Sequence, residues 1–439
     1  MTGSEAEIGA SGATPDEFAP QETVPPAPVM AGKGAQRIAS LDFIRGIAVL
    51  GILAANIVAF GQPFTAYMYP DSFLTPHGEV SGWMWVAQFV IIDGKMRGLF
   101  TLLFGAGMML FMERAWARGS SRWLQVRRLL WLGLFGLCHF FFIWKGDILF
   151  MYAVAGLVAL LFVKLERRNQ FILGMIGYVF GGLIYLAMAG SMVLGSSGNF
   201  GEGAAAQEMQ EGMMSAKYED VEESLIDGDL ISSGDYAGLV AHNFTDHVGD
   251  LGFVLMLFWM ETLPLMLIGM ALFRKGLFSG GLDVRKQRLW GWAGLALGGA
   301  LSLWIALAAR DEGFSYYGTM AAFLGWSFFP RLLMVLGLAA LLGLWGMTAS
   351  GWLAQRLSAA GRAAFTNYIG TSVLMMLVFH GWAGGLYGDL NRPQLYLVVL
   401  GAWAVMLLWS KPWLERFRYG PLEWLWRCLT YGRLFPLRR

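Results

Sequence analysis

Residues 41–60 read LDFIRGIAVLGILAANIVAF, and this stretch decides the fold class of the chain. It contains one Asp, one Arg and one Asn, and every other residue in it is apolar or glycine. A helix that crosses the hydrocarbon core of a bilayer needs about 20 predominantly apolar residues. Because the stretch has that length and lacks the small-x-small cleavage pattern of a signal peptide, it predicts a retained membrane-spanning helix.

The composition of the whole chain agrees with a membrane protein. Of its 439 residues, 56% are hydrophobic and 14% are charged, whereas about 25% of a soluble domain is charged. With this composition, the chain is not expected to be a soluble protein, a disordered protein or a nucleic-acid-binding protein. Ten apolar runs with polar flanks are candidate spans, at about 41–60, 96–113, 129–144, 148–163, 171–190, 251–273, 289–309, 320–347, 363–380 and 394–410.

The sequence therefore predicts an all-α, polytopic transmembrane helical bundle of about ten spans. The apolar piece 83–92 is too short to span a membrane, so it is either a re-entrant or interfacial segment or an extension of the second helix. The two cysteines, Cys138 and Cys428, are too few for a thiolate metal centre, and no metal site is predicted.

The distribution of charge sets the predicted orientation. Basic residues concentrate in the connections 114–128, 164–168 and 274–288 and in the tail from Lys411. An even number of spans puts all of these on one side, and the positive-inside rule assigns that side, with both termini, to the cytoplasm. The connection 191–250 carries twelve acidic residues and one lysine and falls on the other side. It either shapes access of a substrate or is a solvated, weakly ordered excursion.

These features divide the chain into five predicted segments. The first is a disordered cytoplasmic tail, and the last is a basic cytoplasmic tail. Between them lie two transmembrane halves of five spans each, separated by the acidic extracytoplasmic loop. In chain order the segments cover residues 1–36, 37–190, 191–250, 251–410 and 411–439.

Polar residues inside an apolar helix are energetically expensive, so each one is a candidate functional group. In the first helix Asp42 and Arg45 are three residues apart and can pair along one face. Arg45 and Asn56 are eleven residues apart, which returns to nearly the same face about 16 Å further along the axis. This stripe is either a functional surface or an internal ion pair combined with an interhelical amide hydrogen bond.

Histidines and acids gather toward the predicted outer surface. His139 lies near the outer end of the third span, Asp147 begins the next helix, and His77 lies in the loop after the first helix. Such side chains can serve as general acids and bases. Asp147 is equally well explained as the N-cap of its helix, so both interpretations stay open.

Two further charges fall near the middle of predicted spans. Glu261 precedes Pro264 and Arg331 follows Pro330, and opposite charges at similar depth predict a buried ion pair. In the alternative, Arg331 holds a substrate carboxylate or phosphate. Arg362, near the cytoplasmic end of the ninth span, either meets an anionic cofactor or anchors its helix.

Five stretches of the sequence carry a resemblance to a known family. In chain order they are LDFIRGIAVLGILAANIVAFGQP (41–63), LLFGAGMMLF (102–111), LCHFFFIWKGDILFMYAVAGL (137–157), GRAAFTNYIG (361–370) and RYGPLEWLWRCLTYGR (418–433). Together they resemble the YeiB family of bacterial inner-membrane proteins, a domain of unknown function, over about residues 37–436. The resemblance implies a multi-pass protein of the bacterial inner (plasma) membrane.

The YeiB family is distantly similar to membrane acyltransferases such as the lysosomal heparan-glucosaminide acetyltransferases, which begin with a similar D-x-x-R-G helix. The similarity implies transfer of an acyl group from cytoplasmic acyl-CoA to an extracytoplasmic glycan or lipid. Acyltransferases of bacterial surface glycans have a His eleven residues after the Arg, but Asn56 stands there and cannot act as a base. His77 occupies a place comparable to the loop His of the glucosaminide acetyltransferases.

The leading hypothesis is thus a transmembrane acyltransferase. Arg45 with Arg127 or Arg362 would hold the CoA phosphates, with Asp42 and Asn56 on the same face as Arg45. His139 oriented by Asp147, or His77 alone, would deprotonate the acceptor.

No cofactor is required beyond acyl-CoA as the donor. The partners are the lipid bilayer and a glycan or lipid acceptor, with no nucleic acid, and the oligomeric state is left open. The alternative functions are a transporter or exporter of a small amphipathic metabolite and a non-catalytic membrane scaffold.

Overall fold

The computed structural model describes residues 38–197 and 203–439 as helices joined by short connections, with no β-strand among these residues. The predicted tail 1–36 lies outside the described residues. The α-helices are α1 (Ala39–Gly61), α2 (Glu79–Ile91), α3 (Lys95–Trp116), α4 (Trp123–Phe142), α5 (Leu149–Ala159), α6 (Arg167–Ser196), α7 (Ala204–Ser233), α8 (Tyr236–Thr245), α9 (Val248–Arg274), α10 (Val284–Asp311), α11 (Tyr316–Ala321), α12 (Phe328–Thr348), α13 (Trp352–Arg362), α14 (Ala364–Phe379), α15 (Arg392–Arg416) and α16 (Pro421–Tyr431). The predicted all-α bundle is confirmed.

Six helices of the described chain are long and apolar enough to cross a membrane, and up to eight segments qualify if each of two bent pairs counts as one span. The bent pairs are α9 and the combination of α13 with α14, which meet at 87°. The six include Glu79–Trp116 as one segment, so the piece 83–92 extends the second helix. The predicted spans 129–144 and 148–163 form α4 and α5, which are not among the six. With 11 residues, α5 is about 16 Å long, whereas the hydrocarbon core is about 30 Å thick.

Helix α1 forms the centre of the bundle and packs against α3, α12, α13, α14 and α15. Its apolar side chains lie in the largest core cluster, and most of its residues are buried. The approach to α13 is closest, because a Cβ atom added at Gly46 would lie 2.0 Å from the carbonyl oxygen of Leu357. A Cβ atom added at Gly361 would likewise lie 1.8 Å from the carbonyl oxygen of Asp42. Only glycine lets the two backbones approach this closely.

The acidic connection 191–250 is largely helical. The weakly ordered alternative is wrong for residues 203–245, because they form α7 and α8. Tyr316 donates a hydrogen bond to Asp220 at 2.6 Å, and the backbone N–H of Thr65 donates one to Ser224 at 3.2 Å. Helix α7 is therefore docked on the bundle. We call the end of the bundle covered by α7 and α8 the acidic side, and the opposite end, which carries Arg45 and Arg114, the basic side.

Alanine at Gly46 tests the contact between α1 and α13. The added Cβ atom forces the two backbones apart, and overpacking of this kind costs about 1–3 kcal/mol. We expect Gly46→Ala to lower the thermal unfolding midpoint of the detergent-solubilised protein. Gly370→Ala is the matched control, because its Cβ atom meets nothing within 4 Å in the described chain. Equal midpoints for the two variants would contradict the close approach.

Candidate functional site

A cavity of about 860 Å³ opens between α1, α3, α4, α14 and α16 on the basic side. Two acidic side chains, Asp42 and Glu423, also line it. Its inner wall is apolar and aromatic, and it includes Phe100, Leu103, Phe104, Met108, Leu132 and Leu149. Seven arginines contribute to its lining: Arg45, Arg114, Arg128, Arg362, Arg418, Arg427 and Arg439. The cavity therefore combines a strongly cationic part with an apolar part.

Aromatic rings hold two of the cavity arginines in place. The Arg128 guanidinium lies 4.8 Å from the ring centre of Phe111 and 4.3 Å from that of Trp426. The Arg427 guanidinium lies 5.0 Å from the ring centre of Tyr419. A guanidinium stacked on a ring has its N–H groups at the edge of its plane, which is the edge that binds anions. In α1, Arg45 pairs with Asp42 at 3.3 Å, as their spacing predicts.

The C-terminal segment completes the cavity by capping α14. The Glu423 carboxylate accepts hydrogen bonds from the backbone N–H groups of Phe365 at 2.8 Å and Thr366 at 3.1 Å. The Thr366 hydroxyl donates a third hydrogen bond to the same carboxylate at 2.5 Å. A carboxylate at a helix N-terminus satisfies N–H groups that have no partner inside the helix. This contact fixes α16, and with it Trp426 and Arg427, against the transmembrane bundle.

Arg127 does not line the cavity, contrary to its predicted role. Its guanidinium donates to the backbone carbonyl of Leu429 at 3.3 Å, and the neighbouring Arg128 faces the cavity instead. Successive residues of a helix are rotated by about 100°, so only one of two adjacent arginines can face a given wall. Both residues lie at the same end of the helix, so the sequence alone does not show which of them faces the cavity.

His139 and Asp147 meet behind the inner end of the cavity. His139 Nδ1 lies 2.9 Å from Asp147 Oδ1, and both side chains are buried. Asp147 also accepts a hydrogen bond from the backbone N–H of Phe150 at 2.8 Å, so it caps α5 as well. His139 Nε2 makes no hydrogen bond within the described residues. The two open interpretations of Asp147 are therefore compatible.

Two residues stand between this dyad and the cavity. The Tyr368 hydroxyl accepts a hydrogen bond from the backbone N–H of Ile148 at 3.2 Å, and both residues line the cavity. The Tyr368 ring centre lies 5.1 Å from that of His139. Neither His139 nor Asp147 is part of the lining, so the dyad forms a second layer behind Ile148 and Tyr368.

Ile148 also lines a second, smaller cavity of about 60 Å³. Asn56, Tyr67 and Arg97 are among its other lining residues. The polar stripe of α1 therefore runs from Arg45 in the large cavity to Asn56 in the small one. Ile148 is the one lining residue that the two cavities share in the described chain.

A buried ion-pair network lies next to the small cavity. Glu261 Oε2 lies 2.6 Å from Arg97 Nη2 and 2.9 Å from Arg331 Nη1. Arg331 also donates to the backbone carbonyl of Phe323 and to the Ser327 hydroxyl. The structure thus places Glu261 against Arg331 and adds a third member, Arg97. Arg97 stands two residues after Lys95 at the start of an apolar run, so the sequence does not distinguish it from an ordinary flanking charge.

A second polar network, centred on Asp93, lies toward the acidic side. Asp93 accepts hydrogen bonds from Tyr67 at 3.2 Å and from Gln88 at 3.1 Å. Gln88 in turn accepts one from Arg392 at 2.8 Å, and Lys95 donates to the backbone carbonyl of Phe89. Arg392 and Lys95 are completely buried. These cations line neither of the two described cavities.

His77 lies apart from the other predicted catalytic residues. Its ring is half-buried beside Phe73 and Phe314, with ring centres 5.3 Å and 6.2 Å away. Burial and the nearby Arg392 lower the pKa of His77 to about 4, so it is neutral at pH 7. The ring contacts of His139 are with Trp144 and Tyr368, so the described contacts do not bring the two histidines together.

Long apolar helices, charges paired inside them and an arginine-lined cavity define a polytopic helical membrane protein. The chain is 32% identical over 408 residues to a protein of Escherichia coli strain K12 named "Uncharacterized protein YeiB", and the match covers 91% of this chain and 98% of the relative. The protein belongs to the YeiB family. It is also 30% identical over 423 residues to "Uncharacterized protein YxaH" of Bacillus subtilis strain 168, with 92% of this chain and 96% of the relative covered.

Residues 272–433 match the family described as "Protein of unknown function (DUF418)". This region contains α13, α14 and α16, which carry Arg362, Tyr368 and Glu423 to the cavity. No solved structure matches the chain.

Removal of the Glu261 charge tests the central ion-pair network. Glu261→Gln removes the carboxylate that pairs with the buried Arg331 and the partly buried Arg97, and breaking a buried pair in this way costs about 3–5 kcal/mol. We expect a large decrease in the thermal unfolding midpoint in detergent. Glu79→Gln is the control, because its carboxylate is 80% exposed and lies 3.9 Å from Arg310. An unchanged midpoint for Glu261→Gln would show that the network contributes nothing to stability.

Proposed function

We propose that the protein is a membrane acyltransferase that binds acyl-CoA in the arginine-lined cavity. The observation that carries the proposal is the lining of this cavity, which combines seven arginines with apolar and aromatic side chains. Acyl-CoA combines the same two properties, since its phosphates are anionic and its acyl chain is apolar. Guanidinium groups suit phosphate oxygens because their planar N–H groups can bind two oxygens at once.

The charge pattern of the chain supports a cytoplasmic donor site. The cavity lies on the basic side, which the positive-inside rule assigns to the cytoplasm. Acyl-CoA is a cytoplasmic metabolite, so donor and cavity share a compartment. We assign the protein to the bacterial inner (plasma) membrane, in agreement with its bacterial relatives.

His139 is the base that we assign to the reaction. The acceptor hydroxyl or amine would give its proton to His139 Nε2 while its oxygen or nitrogen bonds to the thioester carbonyl carbon. The carbon–sulfur bond then breaks, and the CoA thiolate leaves and takes up the proton. Asp147, 2.9 Å from His139 Nδ1, would orient the ring and stabilise its protonated form.

This step requires movement at the inner end of the cavity. Ile148 and Tyr368 separate His139 from the donor, so their hydrogen bond must open for the thioester to reach the dyad. The small cavity with Asn56 and Arg97 lies on the other side of Ile148, and we assign the glycan or lipid acceptor to that side. No cofactor other than the donor enters this scheme.

Transport of a small amphipathic anion is the second candidate function. The observation in its favour is that Ile148 lines both cavities, with Arg97 in the lining of the small cavity and the buried Arg331 joined to it through Glu261. A ligand that passes Ile148 intact would be exported, whereas a ligand that reacts there releases CoA. Counting free CoA per molecule of ligand consumed therefore separates the two functions.

Binding of CoA to the purified protein tests the donor site. Arg128→Ala removes a cavity guanidinium, and loss of a hydrogen bond to a charged group costs about 1.5–3 kcal/mol, or about 10–150-fold in affinity. We expect that loss for acetyl-CoA in isothermal titration calorimetry. Arg127→Ala is the matched control, since the adjacent side chain contacts the Leu429 carbonyl outside the cavity. Equal effects of the two substitutions, or no binding at millimolar acetyl-CoA, would refute the donor site.

Asp147→Asn separates catalysis from helix capping. Asparagine keeps an oxygen that can accept from the Phe150 N–H, but it removes the negative charge beside His139. With acetyl-labelled CoA, we expect CoA release to fall about 100–10,000-fold while acetyl-CoA affinity and the thermal unfolding midpoint stay near wild type. His139→Gln should show the same pattern. Undiminished CoA release by both variants would exclude the dyad as the base.

A further inference from the structure

A cluster of histidine and aspartate side chains lies on the acidic side, outside the cavity. Asp227 comes from α7, His242 from α8, and His247 from the residue just before α9. Asp227 and His247 are almost completely buried, and the His242 side chain is 17% exposed. Three consecutive helical segments of the chain thus meet at one point.

The atoms that face each other have the separations of ligands around one metal ion. His247 Nε2 lies 3.0 Å and His242 Nε2 lies 3.5 Å from Asp227 Oδ1, and one ligand atom from each residue falls within 4.8 Å of the others. In a tetrahedral zinc site, ligand distances of about 2.0–2.1 Å place neighbouring ligands about 3.3 Å apart. The two measured separations lie on either side of that value.

Both histidines are supported in the manner of metal ligands. His242 Nδ1 lies 2.8 Å from Asp246 Oδ2, and His247 Nδ1 lies 2.9 Å from Asp250 Oδ2. Histidines that bind metals almost always use the other ring nitrogen in this way, because the carboxylate fixes the tautomer and the ring orientation. Here the pairing leaves both Nε2 atoms directed at Asp227.

An unsatisfied nitrogen is a second observation that points to a ligand. His242 Nε2 is shielded from solvent, yet it makes no hydrogen bond within the described residues. Buried polar atoms normally have a partner, and those without one need an explanation. An ion bound between His242, His247 and Asp227 Oδ1 supplies that partner.

The charges around the cluster also favour a cation. Asp227, Asp246 and Asp250 contribute three carboxylates, and the Glu223 carboxylate lies 3.3 Å from His247 Nδ1. Lys145 is the opposing cation: its ammonium binds Asp227 Oδ2 and lies 3.4 Å from His247 Nε2. Lys145 uses Oδ2, whereas the Oδ1 atom faces both histidines and lies 3.0 Å from His247 Nε2, within hydrogen-bond distance. Burial lowers the pKa of His247, but its hydrogen bonds to Asp227 and Asp250 raise that pKa to about 9, so zinc would replace a proton on its ring. With both histidines neutral, four carboxylates against one ammonium leave the cluster negative.

We propose that Asp227, His242 and His247 bind a divalent zinc ion, with water in the fourth position. Two imidazoles and one carboxylate select zinc over magnesium or calcium, which prefer oxygen ligands. The ion would join α7, α8 and the start of α9. The five-residue spacing of His242 and His247 is in the sequence, but the third ligand, Asp227, lies fifteen positions before His242. The proposal does not depend on the proposed acyltransferase activity.

Zinc titration of the metal-free, full-length protein in detergent tests this site. We expect one equivalent of Zn²⁺ to bind in isothermal titration calorimetry and Mg²⁺ not to bind. Asp250→Asn should weaken zinc binding about 10–100-fold, and His242→Ala should weaken it more, because loss of a ligand exceeds loss of its support. X-ray absorption of the loaded protein should show two imidazole nitrogens at about 2.0–2.1 Å.

His380→Ala is the matched control, because His380 is a buried histidine outside the cluster and its ring contacts Trp382. Zinc should raise the thermal unfolding midpoint of wild type and of His380→Ala, but not that of His242→Ala. Because His242 is partly exposed, its removal is expected to leave the protein folded, and His247→Ala provides the second ligand variant. Absence of stoichiometric zinc in wild type, or equal weakening by His242→Ala and His380→Ala, would overturn the proposal.

Discussion

The Glu261 carboxylate is the interaction on which the centre of this bundle depends. It lies within hydrogen-bond distance of Arg97 and Arg331, so one side chain joins α3, α9 and α12. In an apolar interior a charge is tolerated only with a partner, and each of these helices would otherwise carry an uncompensated charge. One carboxylate against two guanidiniums leaves this part of the interior positive. An anionic ligand that approaches from the large cavity therefore meets a favourable field.

The class of fold could be predicted because membrane helices are encoded in local composition. Glu261 and Arg331 could be selected because each stands alone in a long apolar run. Arg97 follows Lys95 at the start of a run and resembles an ordinary flanking charge, so only the packing of α3 against α9 reveals its role. The arginines of the cavity are harder to predict from the sequence. Arg127 and Arg128 are neighbours on α4, and only the rotation of about 100° between successive helical residues places one of them in the cavity lining and the other outside it.

The number of spans could not be predicted from hydropathy, because a run of residues can be apolar either because it crosses the lipid or because it packs inside the protein. Helix α5 is apolar because it packs against α4 and α9 inside the protein, not because it crosses lipid over its full length. The prediction of a solvated loop was wrong for residues 203–245 of the acidic connection 191–250, because charged residues, too, can make specific contacts inside a fold. Its charges predict a solvated loop, yet Asp220 and Asp227 make specific contacts with the bundle and with α8 and α9.

The chain couples the dyad to the wall of the cavity. Ile148, which separates the two cavities, directly follows Asp147, which holds His139 and caps α5. A shift of Ile148 large enough to join the cavities must therefore move the first turn of α5 and the Asp147 carboxylate with it. Tyr368 belongs to α14, whose N-terminus is held by Glu423 of α16 beside Arg427. The arginines of the cavity are thus joined, through α16 and α14, by a continuous series of contacts to the hydrogen bond between Ile148 and Tyr368.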